Sequence, residues 1–114
     1  MTSTLTDAQF DGLTRATLAA IEVAVDRWLQ DDVIDIDSHR TGGLLELDFP
    51  DGSKIVVNTQ PPLHELWLAA RAGGRHFRHE AGRWIDTRDG TEFFAALSQH
   101  ASQQAGKDLA FDFA

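Results

Sequence analysis

The sequence predicts an α+β fold: a two-layer α/β sandwich with two helices packed on one face of a five- to six-stranded antiparallel sheet. Three observations predict it. A helical apolar stripe opens the chain, a second stripe closes it, and between them lie short alternating segments separated by turns rich in Gly, Pro and Asp. No internal repeat, linker or low-complexity segment divides the 114 residues, so one domain spanning 1–114 is expected.

The first helix starts at a capping box, Thr6-x-x-Gln9, with Thr4 as a rival cap. Phe10, Leu13, Thr17, Ile21, Ala24 and Trp28 then recur at steps of three and four, and the helix should end near Gln30. Asp7, Asp11, Glu22 and Asp26 share an adjacent face, interrupted by Arg15 and Leu18. Asp31-Asp32 leads into a predicted strand over 33–37, with Ile34 and Ile36 inward and Asp35 and Asp37 outward. Gly42-Gly43 turns into a strand over 44–49, and Pro50-Asp51-Gly52 turns into the central pair of strands, 54–59 and 63–69. Pro61-Pro62 cannot donate to a ladder and so fixes the connection within that pair. With Ile55, Val57, Leu66 and Leu68 toward the core, Asn58, Gln60 and Trp67 face water, and His64 points inward. Gly73-Gly74 and Ala81-Gly82 should turn into strands over 75–80 and 83–87. Asp89-x-x-Glu92 resembles a second capping box with Asp as cap; Phe93, Phe94, Leu97 and Ala101 form the second stripe, and Gly106 caps its end. The tail Leu109-Ala110-Phe111-Asp112-Phe113 carries enough apolar surface to dock between the helices.

Eighteen acids against ten bases leave a formal charge of −8. That balance argues against nucleic acid or an anionic membrane and favours cations or a basic protein surface. The chain has no cysteine, which removes disulfides, thiolate nucleophiles and thiolate metal ligands. No apolar run approaches bilayer length, and the N-terminal MTSTLTDAQF carries neither a secretory nor a transit pattern, so a cytoplasmic location is the default.

The chain resembles the bacterial frataxin family over nearly its whole length. The likeness is densest in Gly52-Ser53-Lys54-Ile55-Val56-Val57-Asn58, Gln60-x-Pro62-Leu63-His64, Trp67-Leu68-Ala69, Gly73-Gly74-x-His76-Phe77 and Gly90-Thr91-Glu92-Phe93. The resemblance implies an α/β sandwich, weak iron binding on an acidic ridge, and a role in iron–sulfur cluster assembly as an iron-dependent regulator or iron donor. It implies a cysteine desulfurase and its scaffold complex as partners. The ridge maps to Asp7, Asp11, Glu22 and Asp26, continues through Asp31 and Asp32, and ends at Asp35 and Asp37. Two departures stand out: Val23 and Arg27 occupy positions where many relatives carry acids, and the segment 29–32 is longer than in some relatives. Fewer ions or weaker binding would follow.

Acids along a helix are ordinarily a solvated face, and one near the start is favoured by the helix dipole. Here a second element adds charge of the same sign without interleaved lysines. Hard cations held by carboxylates and water are the natural compensation, exchangeable and poorly selected among divalent ions; the resemblance implies that the cation is iron (Fe2+ or Fe3+). Trp67 flanked by Asn58 and Gln60 is the expected partner-binding surface, its alternative being a core tryptophan with the strand parity reversed. The five histidines show no zinc spacing, and the serines lie in no nucleophile elbow. No catalytic residue is assigned, and a non-enzymatic regulator, monomeric or forming metal-dependent oligomers, is the leading expectation. An iron-oxidising or iron-storing protein and a metal-independent acidic module are the alternatives.

Overall fold

The computed structural model describes residues 5–112. Helix α1 (Asp7–Gln30) is followed by six strands, β1 (Asp37–Thr41), β2 (Leu44–Asp48), β3 (Lys54–Gln60), β4 (Glu65–Ala70), β5 (Gly73–Glu80) and β6 (Arg83–Asp86), and then by helix α2 (Phe93–Ala105). The sheet is a meander in chain order, antiparallel throughout. Both helices cover the same face, where Phe10, Leu18, Ile21, Leu45, Ile55, Val57, Leu66, Leu68, Phe77, Phe93 and Leu97 belong to one continuous core. The two-layer sandwich read from the sequence is the fold observed.

Local chemistry explains the boundaries. Thr6 caps α1 in a complete capping box: its hydroxyl accepts from the Gln9 amide, and the Gln9 side chain accepts from the Thr6 amide. The buried stripe of α1 is broader than expected. It includes Thr14, Leu18 and Val25, so Leu18 faces the core instead of interrupting an acidic surface, while Leu13, Ala24 and Trp28 are half-buried at its margin. The rival cap Thr4 lies outside the described residues.

The first strand begins later than expected. Asp32 turns through φ +58°, the Val33 amide bonds the Trp28 carbonyl at 2.8 Å, and residues 33–36 run to the sheet without joining a ladder. Their inward side chains still pack, with Ile36 buried and Ile34 half-buried. Pairing starts at Asp37 opposite Asp48 because β2 ends there, just before Phe49-Pro50. At the other end, the two-residue turn at Gly42-Gly43 places Thr41 opposite Leu44 and fixes the register. Gly43 is required sterically: a Cβ there would collide with the Thr59 hydroxyl.

Between β3 and β4, Pro61–Leu63 forms one turn of 3₁₀-helix, and His64 takes a left-handed conformation at φ +50°. His64 is therefore not a strand residue. It is half-buried, stacked on Phe10 with ring centroids 5.0 Å apart. Gly73 and Gly74 pair within the β4–β5 ladder, which moves that turn to Arg71-Ala72. The cap of α2 is Glu92, not Asp89. The chain is still extended at Glu92, which bridges to Ile85, and its carboxylate accepts from the Phe94 and Ala95 amides at 2.7 and 3.0 Å. Gly106 closes α2 at φ +70°, as expected.

The C-terminal segment docks between the helices. Ser98 accepts from the Phe111 amide at 2.8 Å, and Ser102 accepts from the Leu109 amide at 2.9 Å. Leu109 and Phe111 are thereby buried, Phe111 edge-on to Trp28 at 4.8 Å. Phe113 lies outside the described residues.

Candidate functional site: an acidic corner and the open sheet face

The acids of the first helix do not form one cluster. Asp11 and Glu22 are eleven residues apart, about 16 Å along a helix rising 1.5 Å per residue, and between them the helix turns Leu18 into the core. The acids at the start are each engaged: Asp7 bonds His64 Nε2 at 2.8 Å, and Asp11 bonds Arg15 at 3.0 Å. Glu22 is paired as well, with Arg40 reaching over from β1 at 2.8 Å. Asp26, Asp31, Asp32, Asp35 and Asp37 form no ion pair among the described residues, and all five are exposed. They gather where α1 ends and the chain crosses to β1. Acids without an ion-pair partner among the described residues are therefore gathered in this corner, with Arg27 in the last turn of α1 and Lys107, which donates to the Val33 carbonyl at 2.7 Å, as the cations beside them.

The second surface is the face of the sheet that carries no helix. Alternation along the strands puts Asn58 and Trp67 directly opposite one another there, while Ile55, Val57, Leu66 and Leu68 point into the core. Gln60 pairs with Glu65 at the end of the same ladder. The Trp67 ring lies parallel to His76, 4.0 Å away and inclined by 4°, and its Nε1–H donates to Glu65 at 2.9 Å. Glu65 is buried despite its charge; Arg78 approaches it at 3.5 Å and His76 at 3.9 Å. Trp67 is half-buried and held flat by these neighbours, and the buried Oδ1 of Asn58 beside it has no hydrogen-bond partner among the described residues. This is a rigid aromatic surface with an unused acceptor at its edge.

A third group was not singled out by the sequence reading. His39 on β1 and Glu46 and Asp48 on β2 bring one nitrogen and two carboxylate oxygens within 4.8 Å of one another on the open face. Lys54 of β3 lies against both carboxylates, 3.2 Å from Glu46 and 2.9 Å from Asp48. The hydrogen bond from its ammonium holds the Asp48 carboxyl below the usual carboxylate range, and the two acids, Asp48 foremost, push Lys54 up. Spacing along the chain concealed this group because its members lie on separate strands; the β1–β2 register, which pairs His39 with Glu46 in a strand that begins later than expected, is what assembles it.

On the helix side, Arg75 of β5 bonds Asp86 and Asp89 at 3.0 Å each and approaches His100 at 3.3 Å. Asp86 is buried and also accepts from the Arg88 amide at 2.7 Å, so this network fastens β5 to the turn before α2.

The fold matches that of known proteins. A family profile described as a frataxin-like domain matches residues 3–107. The chain belongs to the frataxin-like family. Relatives named "Iron-sulfur cluster assembly protein CyaY" include one from Paraburkholderia xenovorans, 51% identical over 95% of this chain and 99% of that protein. Another, from Burkholderia mallei, is 55% identical over 89% of this chain and 94% of its own length. Among solved structures, the frataxin of Psychromonas ingrahamii superposes with a TM-score of 0.84 at 32% identity, covering 96% of this chain and all of that one. A trimeric yeast frataxin described as complexed with ferrous shares the fold at a TM-score of 0.68 and 22% identity, over 94% of this chain and 92% of that one. The family resemblance read from the strand motifs is thus established.

Proposed function

We propose that this chain is an iron-responsive regulator or iron donor in iron–sulfur cluster assembly. In this reading it takes iron weakly at the ridge Asp7, Asp11, Glu22, Asp26, Asp31, Asp32, Asp35 and Asp37 and modulates a cysteine desulfurase and its scaffold complex. The observation that carries this is the near full-length kinship with cluster-assembly proteins, joined to five exposed aspartates without ion-pair partners at the α1–β1 corner. Carboxylates with water ligands and no imidazole hold hard cations loosely, which suits exchange with a partner more than storage or catalysis. Within the ridge the corner does most of the binding, because Asp7, Asp11 and Glu22 must first release His64, Arg15 and Arg40. The same negative charge steers a basic partner surface, and Trp67 with Asn58 and Gln60 supplies the packed contact. The chain acts without catalysis of its own, in the cytoplasm, as a monomer that forms larger assemblies only with metal.

The test is a titration of the desulfurase complex with this protein, with and without Fe(II). Desulfurase turnover should respond to the protein in an iron-dependent way. Changing Asp26, Asp31, Asp32 and Asp35 together to asparagine should remove the iron dependence and lower the association rate. Trp67→Ala should weaken the complex by about 2 kcal/mol, the scale of an aromatic hot spot, through faster dissociation. A response indifferent to chelator would instead identify a metal-independent acidic module. Repeated Fe(II) oxidation beyond one equivalent per site would identify an iron-oxidising protein.

A further inference from the structure

We propose that His39, Glu46 and Asp48 form a separate site for a divalent first-row transition ion, distinct in chemistry from the oxygen-only corner. One ligand atom from each residue lies within 4.8 Å of the other two. Metal–ligand bonds of about 2.0–2.2 Å place neighbouring donors roughly 3.0–3.6 Å apart; His39 Nε2 and Asp48 Oδ2 already stand 3.2 Å apart, and closing the half-buried Glu46 carboxylate onto the same ion asks a side-chain adjustment of about 1 Å. The platform is stiff. His39 and Glu46 are direct partners in the β1–β2 ladder, Asp48 stands two residues further on the same face, and the turn at Gly42-Gly43 locks the register.

The donor set decides the ion. An imidazole nitrogen with two carboxylates suits Fe(II), Co(II), Ni(II) or Zn(II) and discriminates against Mg2+ and Ca2+, which prefer oxygen alone. The remaining coordination positions face solvent. Charge points the same way: Glu46 and Asp48 project side by side, and Asp37 is paired directly across from Asp48. Like charges at such positions oppose folding unless a cation joins them.

Lys54 now provides that cation, through the two contacts described above. Its side chain is 55% exposed, so an arriving ion can displace the ammonium into water with little disturbance of the sheet. Lys54 is thus a built-in competitor that sets the affinity of the site. A directional consequence follows: removing this lysine tightens metal binding, whereas removing a residue that merely braces the site would loosen it.

The experiment is calorimetric titration of the metal-free protein with Zn(II), accompanied by Ni(II) broadening of assigned backbone amide signals. The expected results are one Zn(II) site tighter than the weak binding at the corner, preferential loss of the signals of His39, Glu46 and Asp48, and no competition from equimolar Mg2+. His39→Ala should weaken binding by roughly tenfold or more, at least the effect of losing a partner of a metal ligand. Lys54→Gln should strengthen it several-fold, a gain that damage to the fold cannot mimic. Asparagines at Asp26, Asp31, Asp32 and Asp35 should leave it unchanged, which separates this site from the proposed ridge. Zn(II) affinity unaltered by His39→Ala, weakened by Lys54→Gln, or matched by Mg2+ would overturn the proposal.

Discussion

Arg75 shows how much one residue can carry. Its guanidinium is the charged partner of Asp86, whose side chain is only 1% exposed, and it ties that carboxylate to Asp89 and to His100. Arg75→Met should lower stability by about 3–5 kcal/mol, the usual result of leaving a buried charge without its partner. Adding Asp86→Asn should return part of that loss, measured as coupling in a double-mutant cycle of denaturant melts. Trp67 differs in kind. Its neighbours hold the ring flat on an open face, so little of the core depends on it. The side each residue faces was legible from alternation, because a period of two leaves no choice once Ile55, Val57, Leu66 and Leu68 are inside. The Arg75 network was not, since its members are distant in sequence and only folding makes them neighbours.

Among the elements, α1 and the crossing to β1 carry the proposed ridge. The helix was legible from its capping box and stripe, as was its end near Gln30. The start of β1 was not, because the pattern in 33–37 records burial of Ile34 and Ile36, and burial without ladder bonds reads like a strand. The cap of α2 was misplaced for a similar reason: Asp89 and Glu92 both suit a cap, and the bridge of Glu92 to Ile85 decides between them. The acidic residues could be listed from sequence, but their division into paired and unpaired sets could not. That division has a consequence for stability. Without metal and at low ionic strength, changing Asp26, Asp31, Asp32 and Asp35 to asparagine should raise the thermal midpoint, because it relieves repulsion between like charges at the corner. Added Fe(II) or Ca2+ should raise the midpoint of the parent protein, and Ca2+, which the His39 group disfavours, should leave that of the variant nearly unchanged, as expected for a ligand that binds only the folded corner. A parent melt indifferent to both ions and to salt would remove the ridge from consideration.

At the scale of the whole molecule, two imidazoles on the helix side link folding to protons. Burial pushes the His79 imidazole down, and burial together with the Arg75 charge pushes His100 down, both from an ordinary value of 6.5. His79 sits edge-on to Trp84 at 5.0 Å, and buried His100 has an Nδ1 without a hydrogen-bond partner among the described residues. Between the lowered folded values and 6.5 the unfolded chain binds more protons, so stability rises with pH across that interval. The contribution is therefore present above 6.5 and is lost as acidification carries the solution down through the folded values. The thermal midpoint should fall as the pH drops from neutrality into that range, and it should fall less in a His79→Gln/His100→Gln variant. Equal slopes for the two proteins would show that these rings titrate as they do in the unfolded chain.

The chain-order stacking of the six strands also bears on how the protein assembles. Each hairpin closes over a short loop, so the sheet can zip from one neighbour to the next at small entropic cost, and rapid folding follows from topology alone. Phe77 lies on the face that α2 covers, with Phe93 packed edge-on to it at 5.1 Å, so any opening that lifts α2 and the serine-latched tail presents a greasy half-sheet to neighbouring molecules.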